Sequence, residues 1–133
     1  MVELALLLPI LVFGLIGAAD LARAFAIQLA VQNGARAGAE AYAIDFLATP
    51  ASAGNRAMDE IRRTPGINVL AVSVDTPLRA QHADGSQCYA TPTVADPCFY
   101  TVTVDYQFRT IVPWPFIPNT ANFSRSTTMR TFY

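Results

Sequence analysis

The sequence predicts an α+β protein. It has one long apolar N-terminal helix over residues 1–48, packed against a globular head over residues 49–133 in which a short second helix accompanies a small antiparallel sheet. Three observations predict this. Every residue from Leu4 to Ala19 is apolar, small or Pro; a helix-compatible pattern then continues to Leu47 with no Pro between Pro9 and Pro50; and two later segments alternate apolar and polar residues with the period of a half-buried strand.

The sixteen residues of the first run span roughly 24 Å as a helix, short of a bilayer core of about 30 Å. The whole helix spans roughly 70 Å, so its lower part leaves the membrane. Pro9 lacks an N–H and clashes with the carbonyl four residues before it, which predicts a kink or local unwinding near residues 5–9. Asp20 with Arg23, and Arg36 with Glu40, stand three and four residues apart, where side chains on neighbouring turns pair. Small residues recur at every fourth position: Gly14, Ala18, Ala22, Ala26, Ala30, Gly34 and Gly38. Such spacing lets helix backbones approach closely. The ladder drifts about 40° per rung, so several neighbours, each touching one portion, suit it better than one straight partner. The alternative is coincidence in an Ala-rich helix.

In the head, Ser52 is a candidate cap for a helix from Ala53 to Arg63, with Ala57, Met58 and Ile61 inward, and Pro65-Gly66 ends it. Leu70, Val72 and Val74 share one face of a first strand. Tyr100, Val102, Val104, Tyr106 and Phe108 share one face of a second, and a third runs from about Ala121 to Phe132. Between the last two strands, TIVPWPFIPN places Trp114, Phe116 and Ile117 among three prolines. These large apolar residues either form a contact surface for a neighbouring subunit or fold back over the core.

A hydrophobic content of 53% against 14% charged residues excludes a disordered chain. A net charge of -1 with scattered Arg residues gives no footprint for nucleic acid. No phosphate-binding Gly loop, nucleophile motif or metal-ligand spacing appears, and a lone His82 in a turn is a weak catalytic candidate, so the expectation is a protein without enzymatic activity or cofactor. Cys88 and Cys98 flank a short polar stretch and are either disulfide-bonded, the favoured reading, or free thiols. A disulfide places the head outside the cytoplasm. Arg23 and Arg36, which follow the apolar run, pull the other way under the positive-inside bias. The two are reconciled by a precursor whose basic leader is cut ahead of the hydrophobic segment.

That processing pattern resembles the type IV pilin superfamily. Within it, MVELALLLPILVFGLIGAADLARAF and QNGARAGAEAYA are similar to TadE-like proteins of the tight-adherence (Tad) system: Val2, Glu3, Ala5, Leu6, Pro9, Gly17, Asp20, Arg23, Asn33, Arg36 and Gly38 match, with Leu4 in place of Phe. VTVDYQFRTIVP and STTMR resemble the family's closing strands. The resemblance implies a structural subunit, cut by a prepilin peptidase, inserted in the inner membrane and drawn by the Tad assembly machinery into an extracellular homo-oligomeric filament. It equally admits a minor pseudopilin or a membrane-anchored periplasmic scaffold that never polymerises. It implies that Glu3 pairs with the terminal amine of an adjacent subunit's Met1, with the register offset by two because pilins carry this Glu fifth. The other reading of Glu3 is a helix N-terminal carboxylate favoured by the macrodipole.

Overall fold

In the computed structural model of the chain, residues 2–44, 49–75, 81–88, 93–114 and 117–131 are described. The fold is α+β, as the pattern predicts. Helix α1 (Val2–Ile44) is followed by α2 (Pro50–Arg62), a 3-10 turn over Val69–Ala71, and strands β1 (Val72–Asp75), β2 (Phe99–Arg109) and β3 (Thr120–Arg130). The strands form one antiparallel sheet in the order β1-β2-β3.

α1 runs without interruption through Pro9, so of the two expected outcomes there, a kink or local unwinding, the unwinding does not occur. Its upper half carries exposed apolar side chains on all sides, and its lower half is one wall of the core. Ile27, Val31, Ala35 and Ala39 are buried together with Val102, Val104, Tyr106 and Phe108 of β2 and with Ala57 and Ile61 of α2. Paired contacts fix the orientation: Tyr42 packs against Tyr100 with ring centroids 4.3 Å apart and the planes tilted by 43°, and the Arg23 guanidinium lies 5.7 Å from the Phe108 ring centre. β2 therefore runs back along α1 toward the apolar segment. The nineteen helical steps from Arg23 to Tyr42 rise about 28 Å and the eight strand steps from Tyr100 to Phe108 about 26 Å, so helix and strand match in length.

α2 starts earlier than Ser52 suggests. Thr49 is the cap, Pro50 occupies the first turn, and the Thr49 and Ser52 side chains each accept the other's backbone N–H, at 3.1 and 3.0 Å. Pro at that position gives up only an N–H the helix leaves unpaired. The inward face is Ala53, Ala57 and Ile61, with Met58 only half-buried. β1 is also shorter than the alternation suggests. Asn68 caps Leu70 with its side chain, turning residues 69–71 into a 3-10 turn and leaving Leu70 93% exposed instead of on the inner face. β3 ends at Arg130, and Phe132 lies outside the described residues, as do residues 45–48 at the end of the expected first helix.

The close approach of α1 and α2 depends on two glycines. A Cβ on Gly34 would stand 2.6 Å from Ile61 Cδ1, and one on Gly38 3.0 Å from the Ala57 Cβ. Gly34→Ala is expected to destabilise the head by about 1–3 kcal/mol through overpacking. In a double-mutant cycle with Ile61→Ala, thermal unfolding followed by near-ultraviolet circular dichroism is expected to give a combined cost smaller than the sum, because the second change removes the clashing atoms. Strict additivity would mean that the glycine is not held there by Ile61.

Candidate functional site

The chemistry-bearing residues of α1 gather where its apolar run ends. Asp20 is the first charged residue after Leu4, and it is 5% exposed. A buried carboxylate is costly unless its oxygens accept hydrogen bonds. Here they do. The backbone N–H of Ile111 donates to both oxygens at 3.1 and 3.2 Å, the Trp114 indole Nε1 donates to Oδ2 at 3.5 Å, and the Arg23 guanidinium pairs with Oδ1 at 3.1 Å. One turn above, Gly17 leaves room for the indole: a Cβ there would stand 3.4 Å from the Trp114 ring. Gly17, Asp20 and Arg23, three residues apart, thus face one side of α1 and hold the β2–β3 connection against it. The connection is closed on itself by Asn119, whose carbonyl accepts from the Thr110 N–H at 3.0 Å and whose side chain accepts from the Trp114 N–H at 2.6 Å.

Trp114 is therefore half-buried against its own helix, where the sequence left its role between a neighbour contact and a fold-back. Ile117 remains 63% exposed, and Phe116 lies outside the described residues. Asp20 with Arg23 is a tertiary anchor as well as a pair on adjacent turns. Arg36 and Glu40 are both exposed and form no ion pair with each other. Sequence reasoning missed Asn119. Its position after Pro118, at the end of a Pro-rich connection, was the available signal.

The small-residue ladder divides in two. Ala30, Gly34 and Gly38 are buried, the last two against α2 of the same chain. Gly14, Ala18, Ala22 and Ala26 are exposed, and a Cβ on Gly14 would meet nothing within 4 Å. Leu21, Phe25 and Leu29, each about 60% exposed, continue an apolar ridge beside them, past Asp20. Met1 and the side chain of Glu3 lie outside the described residues.

At the opposite end of the head, Cys88 and Cys98 form a disulfide. Cys98 is buried, its N–H donating to the Thr131 hydroxyl at 3.3 Å and its carbonyl accepting from the Thr131 N–H at 2.9 Å. Gln81 exchanges two backbone hydrogen bonds with Phe99, at 2.8 and 3.1 Å, so the loop before β2 is tied to the sheet as well. His82 Nδ1 stands 2.8 Å from Asp96 Oδ1 beside the disulfide. With both sulfurs bonded to each other, one imidazole and one exposed carboxylate are too few donors to hold a metal. In the same turn, the Ser86 hydroxyl and N–H donate to Asp84 and hold its carboxyl below the usual range.

These features define a class: a helix long and apolar enough to cross a membrane, continuous with the spine of an α+β head that is tied to it where the apolar run ends. A family model described as TadE-like protein matches residues 1–40, which hold Gly17, Asp20, Arg23 and every rung of the ladder. None of the curated proteins or solved structures compared with the chain matches it.

Replacing Asp20 by Ala leaves the Ile111 N–H and the Arg23 guanidinium without their acceptor, at a cost of about 1–3 kcal/mol. Amide exchange at Ile111 is expected to accelerate roughly tenfold or more, with smaller changes at Val102 and Val104. Unchanged protection at Ile111 would show that the loop is held by packing alone.

Proposed function

We propose that this chain is a non-enzymatic structural subunit of a Tad-type pilus or filament, which waits in the inner membrane on α1 and polymerises through the exposed part of that helix outside the cell. The observation that carries the reading is the division of the ladder. Rungs below Ala26 are used up inside the chain, yet Gly14, Ala18, Ala22 and Ala26, with Leu21, Phe25 and Leu29 alongside, present a close-packing surface to the outside. Lipid alone does not require small residues at that spacing, whereas neighbouring helices do. The ridge also extends about 14 Å beyond Asp20, past the end of the apolar run, where water would otherwise meet Phe25 and Leu29. Copies of the same helix, packed side by side in a filament core, cover both stretches.

The TadE-like match over the first forty residues supports placing the chain with the Tad machinery and its prepilin peptidase. In the same reading Glu3 pairs with the terminal amine of a neighbouring copy at assembly, which removes the cost of an unpaired carboxylate in an apolar core. The disulfide supports a head outside the cytoplasm. A minor pseudopilin uses the same surfaces at low copy number, and the stoichiometry of sheared filaments separates it from a major subunit.

Ala22→Leu and Ala26→Leu change side chains that are exposed on the surface of α1, so the head is expected to keep its unfolding temperature and the helix its place in the membrane. Filament yield, read by shearing cells and pelleting the fibres, is expected to fall by about an order of magnitude or more. Normal yield from both variants would remove the filament reading and leave the anchored scaffold.

A further inference from the structure

The β2–β3 connection has a composition that its role as a tether to Asp20 does not explain. From Thr110 to Asn119 it contains no charged residue, and it holds three prolines and the only Trp of the chain. Ile111 and Ile117 are each 63% exposed. Its height on the helix is set by two contacts: the Trp114 ring rests on Gly17, inside the apolar run, and the Ile111 N–H is held by Asp20, directly after it. An open apolar groove of about 360 Å³ lies between them, lined by Leu21 and Ala24 of α1 and by Phe108, Ile117, Pro118 and Phe123 of the head.

We propose that this connection is a second membrane contact, an interfacial foot that rests in the headgroup layer of the bilayer crossed by α1 and sets the depth of the head. The proposal rests on residues 4–19 being the membrane-crossing segment. Three observations commit it to lipid as the occupant. The patch is continuous with the apolar run, since Trp114 touches Gly17 within it. The run spans only roughly 24 Å of a core of about 30 Å, and an apolar foot beside its end adds cover on the head side where Asp20 interrupts it. Asp20, the carboxylate that holds the foot, is already paired by Ile111, Trp114 and Arg23, so bringing it to the interface exposes no bare carboxylate. Trp with its N–H bonded and its ring against an apolar neighbour also suits the interface, where such side chains are enriched.

Trp114 is its own reporter. The full-length chain would be reconstituted into phosphatidylethanolamine–phosphatidylglycerol vesicles whose lipids carry bromine near the headgroup or near the chain ends, with flotation run in parallel. Shallow bromines are expected to quench the emission roughly twofold or more, deep bromines much less, at every protein-to-lipid ratio. The double variant Ile111→Ser with Ile117→Ser is expected to float as well as the parent but to lose most of that quenching. Three results would overturn the foot while leaving the spanning helix intact: a floating chain quenched by aqueous acrylamide but by neither lipid, strongest quenching by deep bromines, or quenching that vanishes as the protein becomes concentrated, which would assign the patch to a second copy. A chain that fails to float would overturn the membrane-spanning reading and the foot with it.

Discussion

The carboxylate of Asp20 is the constraint on which the rest of the arrangement depends. It stands at the boundary between a helix surface with no polar partner and a head with many, and at 5% exposure it has to find its hydrogen bonds inside the protein. It finds them in Ile111, Trp114 and Arg23, which belong to both partners of the packing. That single group locks the near end of the sheet to the helix, and Arg23 extends the lock by lying over Phe108. The far end meets the helix through the tilted Tyr42–Tyr100 ring pair, while the hydrogen bonds of Cys98 to Thr131 hold the ends of β2 and β3 to each other.

Between these two ends the packing follows from geometry. A helix rises about 1.5 Å per residue and a strand about 3.3 Å, so the part of β2 from Tyr100 to Phe108 covers the stretch of α1 from Arg23 to Tyr42. On the adjoining side of α1, Gly34 and Gly38 let α2 come close enough for Ile61 to be fully buried, a side chain worth about 1.5–3 kcal/mol when removed from water. The lower helix is thus consumed by its own chain on two sides. What it leaves free is one strip, and that strip joins the apolar run above it without a break.

This economy bears on function. On the proposed function, a subunit that passed from membrane to filament would need a helix surface acceptable to lipid first and to protein afterwards, with the head in one fixed relation to the helix throughout. Small side chains at Gly14, Ala18, Ala22 and Ala26 meet the first need because they suit either environment and allow closer packing in the second. The clamp at Asp20 meets the other, since it joins α1 to the β2–β3 connection. It is internal to the chain, so on that reading it would not have to be remade when the surroundings change.

The α+β class, the long first helix, the inward face of β2 and the similarity of residues 1–40 to TadE-like proteins were legible in the sequence, because hydrophobic period, run length and motif spacing are local properties. Boundaries were less so. Thr49 and not Ser52 caps α2, since Pro50 preorganises the first turn, and Asn68 turns Leu70 outward by bonding to its N–H. The ladder was visible as a spacing, but the split between rungs taken by α2 and rungs left exposed was not, because Ile61 and Gly34 are far apart in the chain and meet only after folding. Gly17, Asp20 and Arg23 were likewise visible as a motif, with no partner outside the helix. The sequence by itself determined which residues prefer to leave water and at what period. Only the tertiary structure decided which of them face the chain's own head and which remain for another surface, because that choice is made by contacts between residues some ninety positions apart, such as Asp20 and Ile111.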